Sequence, residues 1–231
     1  MTPLENSRRT LMRGAVLGAA ASLLRPACAF AGGAPLDELA YALLIGMRSS
    51  EVQRFLNEWP SPAPRRMSIA SPLPVLRYLP TVRAHAAPFS KGLVAPLAEI
   101  ARSLAWRRSY SRSEVSSQFL DNYGWSELVG LTGPLPSDRL ACGVLLLGPG
   151  TAYPAHHHEA EEIYIPLSGT AAWKQGDGGW EDKTPGTMIH HRPQESHAMR
   201  TAQSPLLALY LWRSDNLAQK SHLDCAPGCP D

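Results

Sequence analysis

Apolar residues in the first half of the chain recur three or four positions apart, which is the spacing of one helix face. In the first such stretch they run from Leu36 through Leu39 and Leu43 to Met47. The pattern predicts three helical stretches, over 36–58, 91–108 and 113–129.

Capping signals and prolines divide these helical stretches. Ser50 and Gln53 form a capping-box pattern inside the first stretch. Pro96 is expected in the first turn of the second stretch, because a proline there gives up no helical hydrogen bond. Prolines recur between positions 60 and 80 and disfavour regular structure, so we expect 60–88 to be a loop that wraps a surface.

The pattern changes after Gly130, where short apolar runs alternate with glycine and proline breaks. Short strands at this spacing are typical of a sandwich or barrel, and no internal repeat suggests a second barrel. The sequence therefore predicts a mainly β protein, with a helical extension and proline-rich loop over 32–130 and a β-barrel over 131–231. The predicted strands are Leu140–Leu147, Glu161–Leu167, Thr170–Lys174, Thr187–His191 and Pro205–Trp212.

Residues 1–31 have the ordered features of a twin-arginine export signal. A box around Arg8 and Arg9 is followed by an uncharged run and by two A-x-A-like cleavage sites near Ala29 and Ala31. The alternatives are a basic helix that stays on the protein, or a lipoprotein signal at Cys28, where Arg25 stands in place of an aliphatic residue. The signal predicts a periplasmic protein.

Composition and charge exclude several function classes. Hydrophobic residues make up 44% and charged residues 18% of the 231 positions, which is enough apolar material for a core. The net charge of +2 includes four arginines and one glutamate in residues 1–31, a net +3, so the remainder carries −1. We expect no nucleic-acid partner. We also expect no membrane span, because no apolar run reaches the length that a bilayer requires.

The chain has four cysteines, of which Cys28 belongs to the predicted signal. Cys225 and Cys229 either close a small disulfide, as an oxidising compartment would allow, or remain free thiols near the terminus. Cys142 lies in an apolar run and is expected to be buried and inert.

Histidines and a glutamate cluster between two glycines, in the pattern Gly150-x5-His156-x-His158-x3-Glu162-x6-Gly169. His156 and His158 alternate, so on a strand both imidazoles face one side, and Glu162 shares that parity. His157 should face away. The glycines are expected to mark the turns of a hairpin. Two imidazoles and a carboxylate suit a divalent first-row metal.

A fourth ligand is expected from a later strand, and His197 is the candidate, eleven residues after Gly186. His191 is a candidate for an outer contact only. The segment Gly150–Gly169 resembles the first motif of the cupin superfamily, and Gly186 with His197 keeps the separation of the second. That second motif departs from the family at Pro193, Gln194 and Thr201. The resemblance implies a double-stranded β-helix barrel with the metal inside its mouth.

A narrower resemblance, over about 119–215, is to the cupin dimethylsulfoniopropionate (DMSP) lyase family. It rests on five runs: Leu145–His158, Ala160–Tyr164, Gly169–Trp173, His197–Thr201 and Pro205–Trp212. It implies that His156, His158, Glu162 and His197 are ligands, that Tyr164 is the catalytic base, and that Tyr153 and Trp212 contact the substrate. The implied reaction is elimination of dimethyl sulfide from DMSP, leaving acrylate. The twin-arginine signal is a departure from that family.

The chemistry agrees with the residue types. Tyr164 lies two residues after Glu162 and so shares its strand face, where a nearby cation would favour the phenolate. Aromatic faces suit a sulfonium, which carries a fixed charge and no proton to donate. One divalent ion is expected, and zinc, iron, manganese, nickel and cobalt all suit this ligand set. The substrate is a small sulfonium carboxylate, and a homodimer is one option.

Three alternatives use the same ligand set. The first is an iron-dependent cupin oxygenase on another small substrate, and the second is a non-catalytic periplasmic binding protein. The third is a sugar isomerase, which is disfavoured because few basic residues are placed for a phosphate.

Overall fold

The protein is described by a computed structural model over residues 34–224. The predicted export signal and Cys28, Cys225 and Cys229 lie outside these residues. Helices α1 to α5 span Leu36–Gly46, Ser50–Leu56, Leu79–Ala84, Lys91–Ile100 and Ser117–Asp121, and short 3-10 helices span Pro74–Tyr78, Pro88–Ser90 and Ala101–Ser103. None of the helices within 34–224 is long and apolar enough to cross a membrane.

Twelve strands follow or interleave with these helices. Strands β1 to β6 span Trp106–Arg107, Tyr123–Gly130, Leu135–Pro136, Leu140–Leu147, Ala152–His157 and Glu161–Ser168. Strands β7 to β12 span Ala171–Gln175, Glu181–Lys183, Ile189–His191, His197–Thr201, Leu206–Arg213 and His222–Leu223.

The strands form two sheets, and each sheet takes strands from several separate parts of the chain. The larger sheet has the order β1-β2-β4-β11-β6-β9, with β3 paired in parallel to β2, and the smaller has the order β12-β5-β10-β7-β8. From β4 to β7, and again from β9 to β12, successive strands alternate between the two sheets. The expected cupin barrel with a helical extension is therefore confirmed.

Strands β4 and β6 of the larger sheet are buried on both faces, which explains their continuous apolar runs. Every position of β4 and of β6 is buried. On β6, Ile163 and Ile165 pack into the core that includes the helices, whereas Tyr164 packs into the core inside the barrel. Successive strand residues point to opposite faces, so Glu162 shares the inner face with Tyr164.

The third helical stretch, predicted over 113–129, was wrong. Only Ser117–Asp121 is helical, and its N-cap Ser116 accepts a hydrogen bond from the Phe119 amide. The residues that follow form β2, which pairs antiparallel with β4 and so begins the sheet before the expected boundary at 131. Pairing with a buried neighbour outweighs the local helical spacing of Leu120, Trp125 and Leu128.

The positions of several prolines and of one helix cap also differ from those predicted. Pro96 lies inside α4 and not in its first turn, where buried packing of the helix offsets the lost hydrogen bond. Within 60–88, Pro74 and Pro80 each stand in the first turn of a short helix, so only the earlier part of this stretch is irregular. The N-cap of α2 is Ser49, not Ser50, and its hydroxyl accepts from the Val52 amide at 3.3 Å.

The expected hairpin between Gly150 and Gly169 was also wrong, because β5 and β6 belong to different sheets. Both glycines do occupy turns, with φ of 60° and 81°. A side chain at Gly169 would place its Cβ 2.1 Å from the Pro205 carbonyl oxygen. The turn therefore crosses between sheets, and it requires glycine for space as well as for φ.

The turn before β10 explains one departure from the cupin pattern. Gln194 stands where the family has glycine, and it has a φ of 64°. Its amide donates to the His158 carbonyl at 2.7 Å, and its side chain is exposed. This residue therefore keeps the left-handed conformation at a cost of about 1 kcal/mol.

Replacing Gln194 with glycine should remove this strain. We expect Gln194→Gly to raise the free energy of unfolding by about 1 kcal/mol and the melting temperature by roughly 2–4 °C, measured by thermal and urea unfolding. Arg192→Gly, in the same turn but without a positive φ, is the control and should destabilise. Equal losses in both variants would contradict this account.

Candidate metal centre

Three strands bring the predicted ligands to one point inside the barrel. His156 is near the end of β5, His158 directly follows it, Glu162 is the second residue of β6, and His197 is the first residue of β10. His197 and His156 are Cα partners between β10 and β5, which sets their rings side by side. All four side chains are buried.

The four side chains converge at ligand distances. His156, His158 and His197 each offer a nitrogen within 4.8 Å of the others. Glu162 Oε2 lies 3.0 Å from His158 Nε2 and 3.2 Å from His197 Nε2. Ligands bound to one ion at about 2.1 Å lie roughly 3 Å apart when they are neighbours, so these separations suit a shared ion.

Backbone carbonyls fix the tautomer of each imidazole in the cluster. Nδ1 lies 2.9 Å from the Pro154 carbonyl oxygen in His156, 3.0 Å from that of Ala160 in His158, and 2.8 Å from that of Glu195 in His197. A carbonyl can only accept, so Nδ1 carries a proton and Nε2 is the nitrogen that each ring turns toward the other candidate ligands. This is the arrangement that orients histidine ligands in metal proteins.

The charge state also suits a cation. Burial, reinforced by the neighbouring His197, lowers the pKa of His156 well below its ordinary value and keeps that ring neutral. Burial acts to raise the pKa of Glu162, but His158 and His197 outweigh it and hold the carboxyl ionised. His197 Nε2 is buried and makes no hydrogen bond within residues 34–224, despite its distance to Glu162. A divalent ion would use that lone pair, so the donor set fits a metal.

An aromatic ring packs against each imidazole. Tyr153 stacks on His156 with ring centroids 4.3 Å apart, and Trp212 lies 4.2 Å from His158. His191 stacks on His197 at 3.9 Å. The rings restrict the imidazoles from the side, while the carbonyls fix them in rotation.

His191 is closer to the ligands than the sequence suggested. It is directly opposite Glu162 in the β6–β9 pairing, and one of its nitrogens lies within 4.8 Å of the Glu162 and His197 ligand atoms. Gln175 Nε2 donates to the His190 carbonyl and also lies 3.3 Å from His191 Nδ1. Nδ1 therefore accepts, the proton lies on Nε2, and His191 differs from the three ligand candidates.

Two of the candidate ligands, His156 and Glu162, line a pocket of about 700 Å³. Its aromatic lining comprises Tyr123, Trp125, Tyr153, Tyr164, Tyr210 and Trp212. The predicted residues Tyr164, Tyr153 and Trp212 are thus all at the pocket, next to the candidate ligands. Arg107, Arg108 and Lys220 also line it, and no sequence pattern pointed to them because they come from distant segments.

Hydroxyl groups beside Tyr153 form a chain that the sequence also did not reveal. The Tyr153 hydroxyl lies 3.3 Å from those of Tyr123 and Tyr110, and Ser109 lies 2.8 Å from the Tyr123 hydroxyl. Burial raises the pKa of Tyr123 to about 12. Burial likewise raises the pKa values of Tyr153 and Tyr164, so in the absence of a cation these phenols stay neutral.

The outer face of β6 carries a second carboxylate next to the ligand. Glu161 accepts from Arg54 of α2 at 2.9 Å, from Arg213 of β11, and lies 2.8 Å from His190 Nε2. His157 points away from the cluster, as its parity predicted, and contacts Asp224. Adjacent residues of these strands therefore serve different networks on opposite faces.

Known proteins resemble this chain over most of its length. The sequence profile of the DMSP lyase (dimethylsulfoniopropionate lyase) family matches residues 47–208. The dimethylsulfoniopropionate lyase DddQ of Ruegeria pomeroyi is 38% identical over 110 residues, which cover 48% of this chain and 55% of that protein. The aligned part spans about half the length of the curated relatives it matches.

Solved structures agree with the sequence match. The crystal structure of DMSP lyase DddQ from Ruegeria pomeroyi DSS-3 has a TM-score of 0.75 at 27% identity, covering 84% of this chain and 98% of that one. A structure from work on the DMSP lyases RdDddP and RnDddQII has a TM-score of 0.73 at 31% identity, covering 83% and 96%. Each of these two structural matches therefore includes both the helical extension and the barrel.

Metal retention should separate the ligand candidates from His191. We expect His156→Ala, His158→Ala and His197→Ala each to lower zinc affinity at least tenfold, because each removes a lone pair. His191→Gln should keep one bound ion per chain, because the Gln175 amide lies against the Nδ1 of His191, unlike the three ligand candidates, whose Nδ1 atoms face carbonyls. The measurement is metal content by mass spectrometry after dialysis against a weak chelator. Loss of the ion from His191→Gln would make His191 a ligand.

The metal-free protein should become less stable as the pH is lowered. Burial lowers the pKa of His191 to about 3, and that of His156 also lies well below its ordinary value. Below pH ~6.5 these two imidazoles bind protons in the unfolded chain but stay neutral in the folded state, so acid favours unfolding. We expect a loss approaching about 1.4 kcal/mol per pH unit for each ring, measured by urea unfolding at pH 7, 6 and 5 with chelator. Constant stability over this range would contradict the neutral rings.

Proposed function

Because the chain belongs to the DMSP lyase family, we propose that it cleaves DMSP into dimethyl sulfide and acrylate. The observation that carries the proposal is the position of Tyr164, two residues from Glu162 on the same inner face of β6. A candidate base thus lines the same aromatic pocket as two of the candidate ligands, His156 and Glu162.

The proposed reaction is a β-elimination. A base removes a proton from the carbon next to the carboxylate, and that electron pair forms the carbon–carbon double bond. The bond from the neighbouring carbon to sulfur breaks, and its electrons leave with neutral dimethyl sulfide. The products are dimethyl sulfide, acrylate and one proton, so atoms and charge balance. The acidity of the carbon is the main barrier, because negative charge develops at the carboxylate.

His156, His158, Glu162 and His197 would hold a divalent ion for this reaction. When bound, such an ion would supply positive charge that stabilises the developing charge on the substrate's carboxylate. The donor set of three imidazoles and one carboxylate suits zinc, iron, manganese, nickel or cobalt.

Tyr164 is the proposed base. Its side chain is buried and lines the pocket, which supports a role beside a bound substrate. Burial and the Glu162 carboxylate both raise the pKa of Tyr164. A cation among the ligands would oppose the effect of Glu162 and favour the phenolate.

Tyr153 and Trp212 are the proposed contacts for the sulfonium end. Both line the pocket and both pack against ligand imidazoles, so a substrate near the cluster would meet their rings. A fixed cation against an aromatic face gains about 0.5–2 kcal/mol. The pocket offers Tyr123, Trp125 and Tyr210 as further faces.

We also propose that the reaction takes place in the periplasm, on the support of the twin-arginine box at 7–13. Assembly as a homodimer is a further expectation.

Loss of the phenol should abolish elimination without loss of metal. We expect Tyr164→Phe to retain the ion and to lower kcat for dimethyl sulfide release at least a hundredfold, the usual scale for a general base. Headspace chromatography measures the product, and mass spectrometry measures the metal. Tyr41→Phe, on the partly exposed side of α1, is the matched control and should keep the activity.

Two results would overturn the proposal. Full activity in Tyr164→Phe would exclude this base. No dimethyl sulfide from folded, metal-loaded protein would exclude DMSP as substrate. Oxygen uptake by the iron-loaded protein would then support the oxygenase, and tight ligand binding without turnover would support the binding protein.

A further inference from the structure

The indole of Trp212 is hydrogen-bonded to a candidate metal ligand. Trp212 on β11 and Glu162 on β6 are direct Cα partners, so their side chains share the inner face. Trp212 Nε1 donates to Glu162 Oε1 at 2.5 Å. The ring of the same residue packs against His158. One side chain thus contacts two ligands, one through its N–H and one through its face.

This bond makes the two oxygens of Glu162 different. Oε1 accepts from the indole, whereas Oε2 points toward the imidazoles, 3.0 Å from His158 Nε2 and 3.2 Å from His197 Nε2. A free carboxylate can bind a divalent cation through one oxygen or both. Because the indole N–H takes one lone pair of Oε1, Oε2 is the favoured ligand atom for an ion.

We infer that Trp212 is a positioning residue that keeps Glu162 a one-oxygen ligand and so leaves a coordination position open for an exchangeable ligand. The inference rests on the metal centre of the proposed function and is independent of DMSP as the substrate. It assigns the indole N–H a role that the aromatic ring alone could not perform.

The structure supplies a matched pair of substitutions. Trp212→Phe keeps an aromatic ring against His158 but removes the N–H. Trp125→Phe makes the same change in the same pocket, where the indole donates to Ser109 Oγ at 3.1 Å and not to a ligand. A difference between the two variants therefore reports on the bond to Glu162.

The test uses cobalt(II) at saturating concentration, because its visible absorption is strong in four-coordinate sites and weak when the coordination number rises. We expect Trp212→Phe to lose absorption severalfold, as the second carboxylate oxygen joins the ion, and to bind azide about tenfold more weakly. Trp125→Phe should keep the spectrum and azide affinity of the unmodified protein. Identical spectra for Trp212→Phe and the unmodified protein would overturn the inference.

A second measurement uses the unmodified protein, so it does not depend on the folding of a pocket variant. In the ¹⁵N-labelled protein, the Trp212 indole N–H should show the downfield proton shift of a donor to a carboxylate, and zinc should leave it in place. Movement of that signal to the position of a free indole on zinc binding would mean that both oxygens bind the ion. Failure of DMSP cleavage with these signals intact would remove the substrate proposal but not this inference.

Discussion

The central constraint in this protein is that β6 is buried on both faces and uses them for different purposes. Its outward residues, such as Ile163 and Ile165, complete the core beneath the helices, while Glu162 and Tyr164 face the barrel interior. A shift of one residue in register would exchange the two sets and bury the wrong groups on each side. The pairing with β11 and β9 fixes that register, and with it the distances among the candidate ligands.

The candidate ligands are oriented by the fold itself. Each imidazole is bonded through Nδ1 to a carbonyl only two residues away, and each rests on an aromatic ring, which comes from the same strand for His156 and from other strands for His158 and His197. The local bonds come with the strand ends, and the rings come from the packed interior. The lone pairs are therefore directed before any ion binds, which reduces the reorganisation that binding would require.

Much of this arrangement follows from the sequence because strand parity and glycine turns are local. The strands from Leu140 onward, the shared face of Glu162 and Tyr164, and the outward His157 all depend on short-range geometry. The errors arose where distant partners decide. Residues 123–130 have helical spacing but pair with β4, and β5 and β6 separate into two sheets because their partners come later in the chain. His191 was a candidate for an outer contact, but its position could not be derived from the sequence, since only the β6–β9 pairing places it opposite Glu162.

The network around Glu161 has a consequence for how this protein divides into parts. The carboxylate sits one position before a candidate ligand, and one of its cationic partners, Arg54, belongs to a helix outside the barrel. A barrel excised from its helices would lose one of the two arginines that pair with this carboxylate, on the strand that holds Glu162 and Tyr164. The helical segment is thus not a detachable accessory. Helices and barrel therefore have to be inherited together. Recombination that exchanged barrels without their helices would remove the Arg54–Glu161 pair beside Glu162.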